Sequence, residues 1–263
     1  MILYVNGCSH TAAAEAVVPD VMAVDDGRYG IDRRPHPINL EASWGRHLSR
    51  MLNTEFYCDA ETAASNDRIL RTTTDWIHNN YSRLYDTVMV IQWTTWEREE
   101  WVFEGKHYQV NASGVDMVPP ELEARYRQYI LDVNWNQKTD EWHNKIWHLH
   151  CRLKDLNVRH LFYSGNSTFS DMPNQRDWQN HYIQPYSRDH SWNAILKNNG
   201  FEHVNPKSYH FGANGHRFWS EYVLQYLKQH KLLDRPNEIS TDGYCQHVLP
   251  CPPFGAQGQR HMD

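Results

Sequence analysis

The sequence predicts an α/β domain in three layers, helices on either side of a central sheet of about five mostly parallel strands. Three observations carry this expectation. Apolar runs of strand length recur along the chain and are rich in β-branched and aromatic residues. Helical patterns separate them, and no Pro/Gly-rich linker divides the alternation into two domains.

The first run is Ile2 to Val5, inside "ILYVNGCSHT". A weaker one spans Glu55 to Cys58. Thr87 to Ile91, in "DTVMVIQW", is apolar throughout, as expected of a strand buried on both faces of a parallel sheet. Val158 to Tyr163 has the same character, and Phe201 to Val204, after Asn198-Asn199-Gly200, completes the expected five.

Between the strands, residues 43–52 place Trp44, Leu48, Met51 and Leu52 at helical spacing. Residues 65–81 open on the N-cap types Ser65-Asn66-Asp67 and turn Ile69, Leu70 and Ile77 inward. Residues 121–156 suit one long helix, or two broken near Asn134–Asn136. Residues 214–230 form an amphipathic helix with Phe218, Tyr222 and Leu227 near one stripe. The domain is expected to span 1–233, with insertions at about 20–42 and 102–118, the second a small hairpin. An irregular tail follows at 234–263.

Composition narrows the function classes. A net charge of −6, with no run of one sign, argues against nucleic acid as a partner. Apolar runs are far too short for a membrane span, and no secretion signal is recognisable. Five cysteines at irregular spacing suit reduced thiols in a cytoplasmic setting, with Cys245 and Cys251 close enough in the tail to pair as an alternative. In "WHLHC", residues 147–151, His148, His150 and Cys151 lie close in sequence, but on a helix they point to different sides. No metal and no cofactor is expected.

The chemistry is expected at the carboxyl ends of the strands, where open α/β sheets bind ligands. The first strand stops at Gly7-Cys8-Ser9-His10 and delivers a serine to that edge. A serine hydroxyl attacks only when a base takes its proton and donors hold the oxyanion. His210, in the loop before the last helix, is the base candidate, with His216 the alternative. Asn66, at a helix N-terminus, and Thr94, where the third strand ends, offer polar groups for an oxyanion. Trp44, Trp93 and Trp96 suit either core packing or an aromatic wall for a sugar.

These blocks resemble the SGNH, or GDSL, hydrolase superfamily. "GCSHT" is similar to that family's Gly-Asp-Ser block, with Cys8 in the Asp place, and looks like a variant found in a bacteriophage-encoded branch. "TAASNDRI" resembles the second block, with Ala63 where glycine is usual, and "WTTWERE" resembles a phage version of the third block, which lacks the usual asparagine. "SYHFGANGH" resembles the last block, with Ser208 where aspartate is usual and His210 as the base. The resemblance implies a flavodoxin-like fold, Ser9 as nucleophile, and an oxyanion hole from Ala63 with Asn66 or Thr94. His10, Trp93, Arg98 and His216 are expected either to line the substrate or to support the residues that do. A carboxylate to orient His210 is then expected from the following loop, at Asp20, Asp25 or Asp26.

Two functions follow as expectations. One is a serine esterase acting on a small-molecule or glycan ester, such as an O-acetyl group, in the cytoplasm of a phage-infected host or in the virion. The other is a catalytically silent glycan-binding or virion assembly protein of the same fold. Oligomeric state is not encoded in any pattern here.

Overall fold

The computed structural model describes residues 1–23, 33–112, 118–205 and 207–234. Asp25, Asp26, Cys245, Cys251, part of the 20–42 insertion and nearly all of the tail lie outside the described residues.

Four parallel strands form the central sheet: β1 (Ile2–Asn6), β2 (Glu55–Cys58), β3 (Thr87–Trp93) and β6 (Arg159–Ser164), in the order β2-β1-β3-β6. β4 (Glu99–Phe103) and β5 (Lys106–Val110) form a separate antiparallel hairpin, close to the expected 102–118 excursion. The helices are α1 (Pro37–Glu41), α2 (Trp44–Leu52), α3 (Asn66–Asn79), α4 (Glu123–Asp132), α5 (Trp135–Asp155), α6 (Trp192–Asn198) and α7 (Ala213–Gln229).

Strand alternation explains the layers. Ile2, Tyr4, Met89, Ile91, Trp93 and Phe162 face one side, where they pack with Ile69, Trp76 and Ile77 of α3 and Trp142, Ile146 and Leu149 of α5. Leu3, Val5, Val88, Val90, Leu161 and Tyr163 face the other, against Trp44 and Leu48 of α2, Leu196 of α6, and Trp219, Val223 and Leu227 of α7. Both faces are covered, which is why β1, β3 and β6 are buried along their whole length. Burying each such side chain contributes about 1.5–3 kcal/mol before entropy is subtracted. β2 is the exposed edge and accordingly less apolar.

Several expectations shift. Phe201–Val204 is not a fifth strand: the free edge of β6 is covered by His181–Ile183, whose backbone bonds Phe162 on both sides. The 201–204 segment instead folds back on the loop before α7, through an isolated His203–Phe211 bridge. The 121–156 stretch is two helices, broken where the Asn134 side chain caps α5. Met51 is exposed, and Phe218 and Tyr222 flank the stripe of α7 while Trp219 and Val223 occupy its centre. The short helix α6 had no clear signal in the polar 165–188 and following residues.

Candidate active site

β1 and β3 are adjacent, yet the chain leaves β1 towards β2 with α2 on one face, and leaves β2 for β3 with α3 on the other. Strand order reverses between β1 and β3, and their carboxyl ends open a crevice. Ser9, three residues beyond β1, sits in it, 7 % exposed.

The turn after β1 is held by Gln92, at the end of β3. Its Oε1 accepts from Thr11 Oγ1 at 2.9 Å and Cys8 N–H at 3.3 Å, and its Nε2 lies 3.0 Å from Cys8 Sγ. Two glycines leave room for it. A Cβ on Gly7 would come within 2.5 Å of Thr11 Oγ1 and 2.7 Å of Gln92 Oε1, and one on Gly165 would overlap Gln92 Nε2.

His210 Nε2 lies 2.9 Å from Ser9 Oγ. On its other side, His210 Nδ1 lies 2.6 Å from Glu15 Oε2. A carboxylate can only accept there, so Nδ1 carries the proton and the Nε2 lone pair faces the serine hydroxyl. Burial pushes the His210 pKa down, and Glu15 partly opposes this. The imidazole is therefore neutral at pH 7 and able to take a proton. Burial pushes Glu15 up, but hydrogen bonds from Ser208 and His210 outweigh it and hold the carboxyl below its ordinary range.

Glu15 is itself positioned. Ser208 Oγ donates to its Oε2 at 2.5 Å and accepts from His210 N–H at 3.0 Å. Asn205 Nδ2 donates to Oε1 at 3.0 Å. The Glu15 backbone is left-handed, φ 62°, an uncommon conformation for a side-chain-bearing residue. Ala16 C=O accepts from Ala213 N–H at the start of α7, which ties this loop to the one carrying His210. The expected carboxylate was Asp20, Asp25 or Asp26. Glu15 fills that place, and the backbone of the described one, Asp20, is bonded to Asn39.

The second block reaches the site by continuing the β1–β2 register: Asp59 N–H bonds Val5 C=O and Glu61 N–H bonds Gly7 C=O. This brings Ala63 to the end of β1, with φ 64°, the left-handed conformation that glycine adopts freely. Among the described residues, the N–H groups of Ser9 and Ala63 have no hydrogen-bond partner. Ser65 caps α3 through Arg68 N–H, and its own N–H donates to Gln109 of the hairpin at 2.9 Å.

Other predicted residues are placed differently. The Asn66 side chain is spent on the third block: Nδ2 donates to Thr94 C=O at 3.1 Å, and Oδ1 accepts from Thr94 N–H at 2.9 Å. It links the two blocks and is no free oxyanion donor. The Thr94 hydroxyl carries no hydrogen bond among the described residues. Trp44 and Trp93 are fully enclosed, and Trp96 stacks on Phe169 at 4.5 Å, so these three rings pack the interior and form no open wall. His216 is buried, its Nδ1 accepting from Trp44 N–H at 3.3 Å where α7 meets α2. Burial, with the nearby charges of His210 and His47, pushes its pKa to about 3, and it is His210 rather than His216 that bonds Ser9 Oγ. His10 lies edge-on to His210, 5.8 Å between ring centres, and stacks on Trp192 at 6.0 Å. Tyr209, unnoticed in the sequence, is 63 % exposed beside the His210 loop, with its ring against His203.

His148, His150 and Cys151 do not converge. His150 Nδ1 lies 2.9 Å from His160 Nε2, and His181 stacks on His160. Among the described residues no cluster of three or more His, Cys, Asp or Glu side chains is arranged to hold a metal ion, and no helix is long and apolar enough to cross a membrane.

Comparisons add little that the geometry does not already show. Residues 36–162 match the model of a family of unknown function, DUF6071. No curated protein matches the chain. Among solved structures, it is similar to a protein assigned to the G-D-S-L lipolytic family from Desulfitobacterium hafniense DCB-2, at 12% identity and TM-score 0.35, covering 86% of this chain and 99% of that one. It is also similar to a carbohydrate esterase (14% identity, TM-score 0.40, 87% of this chain and 68% of that one). A third is an acetyl xylan esterase, Est2A, from the rumen bacterium Butyrivibrio proteoclasticus (10% identity, TM-score 0.43, 87% of this chain and 63% of that one). At these scores the functional reading rests on the side chains alone.

Proposed function

We propose that the chain is a serine esterase of the SGNH type, acting on an acyl ester such as an O-acetyl group on a carbohydrate. The observation that carries this is the line Ser9 Oγ, His210, Glu15, with separations of 2.9 and 2.6 Å. In the first half-reaction, Ser9 Oγ attacks the ester carbonyl carbon while its proton passes to His210 Nε2. Glu15 holds the Nδ1 proton in place and stabilises the imidazolium that forms.

The carbonyl oxygen gains charge as the tetrahedral intermediate forms. The N–H groups of Ser9 and Ala63, with the Thr94 hydroxyl as third donor, are the groups available to hold it. Collapse breaks the bond to the alcohol, which leaves with the proton from His210. Water then attacks the acyl-serine by the same route, with His210 as base, and releases the acid and free Ser9. The exposed ring of Tyr209 offers an apolar face beside His210 for the alcohol part of the substrate.

Hydrolysis of 4-nitrophenyl acetate and of an acetylated xylo-oligosaccharide, with Ser9→Ala as control, tests the reading. Release of acetate that the substitution abolishes supports it. Equal rates in both proteins, or none in either, would favour the silent binding protein.

A further inference from the structure

Resting on the esterase reading, we propose that Arg98 selects substrates that carry a carboxylate close to the scissile ester. Arg98 lies in the third block, between β3 and the hairpin, and is half-buried. The other arginines around it have carboxylate partners: Arg68 pairs with Glu61 at 2.6 Å and Arg71 with Glu100 at 2.7 Å. Arg98 makes no ion pair among the described residues. Of its acidic neighbours in sequence, Glu99 bonds Lys138 and Trp101 Nε1 and Glu100 bonds Arg71 and Gln109, whereas Glu97 forms no ion pair among the described residues and its Oε2 is enclosed without a hydrogen-bond partner.

What holds Arg98 is one long hydrogen bond, from Nη1 to Ala64 C=O at 3.4 Å. Its Nε is enclosed and has no acceptor. Leaving a buried donor unsatisfied is costly, and a guanidinium presents its donors in a fork that matches a carboxylate. The Ala64 contact puts the group beside Ala63, at the second block. Its charge also lowers the pKa of both His10 and His210, in keeping with a place near the same crevice. An anionic substituent on the ester would bond the part of the guanidinium that is not enclosed and enter with its counter-charge already in place.

The test uses the full chain and two matched ester pairs: 3-acetoxybenzoate with its methyl ester, and mono-4-nitrophenyl adipate with its methyl ester. These place the carboxylate in the alcohol and in the acyl part respectively. The expected result is a kcat/KM preference of about tenfold to hundredfold for the acid in one pair. Arg98→Gln should lower that acid's kcat/KM by the same factor more than its methyl ester's, and Arg98→Lys should retain part of the preference. No preference in wild type, or equal loss on acid and methyl ester in Arg98→Gln, overturns the assignment and makes Arg98 part of the reaction centre or the scaffold. Ligand-observed NMR on Ser9→Ala separates the two readings. Tighter binding of the acid, lost in the Ser9→Ala, Arg98→Gln double variant, supports Arg98 even where no ester is turned over, and identical binding of both forms overturns it.

Discussion

Glu15 Oε2 and His210 Nδ1 meet at 2.6 Å although 195 residues separate them in the chain. The pair places a carboxylate on the far side of the imidazole from Ser9, with Ser208 and Asn205 fixing the carboxylate in turn. The SGNH pattern supplies an aspartate from the histidine's own loop. In the block of this chain that resembles it, Ser208 stands in that place, and the carboxylate facing His210 comes from the loop that follows Ser9.

Replacing Glu15 by Gln should cut kcat about 10³- to 10⁴-fold, because a neutral amide neither fixes the Nδ1–H tautomer nor stabilises the imidazolium. The pH profile carries a second signature. His210 must be unprotonated to act as base, so activity falls as pH drops through its pKa, which lies below the ordinary 6.5. Glu15 raises that pKa, so the acid limb of kcat/KM should move to lower pH in Glu15→Gln. Steady-state rates between pH 4 and 9 give both results, and a limb that moves upward would contradict the pairing.

Ser208 and Glu15 share the task of one aspartate. Glu15→Ala alone should be nearly inactive, and adding Ser208→Asp should restore part of the rate by setting a carboxylate beside His210. Ser208→Asp in the wild-type background should be harmful, because two carboxylates would crowd where Oγ now lies 2.5 Å from Oε2. Comparing kcat/KM of the three variants decides the matter.

Ala63 has a left-handed backbone at φ 64°. Ala63→Gly should raise stability by about 0.5–1 kcal/mol, since a Cβ is disfavoured in that region, and should preserve the N–H. Chemical denaturation measures the first and ester turnover the second. Loss of stability would mean that the Ala63 methyl packs usefully.

Gly165 has no space for a side chain: a Cβ would overlap Gln92 Nε2 and come within 3.2 Å of His10 Nδ1. Gly165→Ala should therefore displace Gln92, loosen Cys8 and Thr11, and lower kcat by at least about tenfold. A rate equal to wild type would show that Gln92 does not position the nucleophile.

Among the described residues five histidines are buried as neutral rings. Burial lowers the pKa of His10, His143 and His160, and brings His150 and His216 to about 3. Unfolded, each titrates near 6.5. Below that pH the unfolded chain binds protons that the folded one refuses, so stability is full above about pH 6.5 and falls as pH drops. Each ring contributes up to about 1.4 kcal/mol per pH unit. Thermal melts from pH 7.5 to 5 should show a steadily falling Tm, and a flat curve would contradict the buried neutral state.

How far the chain announced this depends on range. Strand runs such as Thr87–Ile91 are legible because burial on both faces demands apolar residues in succession. Ser9 and His210 are legible because each sits in a short local pattern at a strand end. The missing fifth strand was not, because Phe201–Val204 is apolar enough for one. What decided its fate was His181–Ile183, which had already covered the β6 edge. Glu15 escaped for the same reason: no local pattern marks a carboxylate whose partner is at the other end of the chain. Its neighbours "HTAAAEA" hint only at a tight turn of small residues. The three tryptophans show the reverse ambiguity, since an aromatic ring at a strand end looks the same in sequence whether it faces a ligand or a core.

The most direct measurement is covalent labelling of the intact protein with a fluorophosphonate, followed by peptide mass mapping. The arrangement requires one phosphonyl group per chain on the peptide containing Ser9, with labelling strongly slowed in His210→Ala and slowed in Glu15→Gln. Folded protein whose Ser9 stays unlabelled, or whose labelling is indifferent to His210 and Glu15, would contradict it.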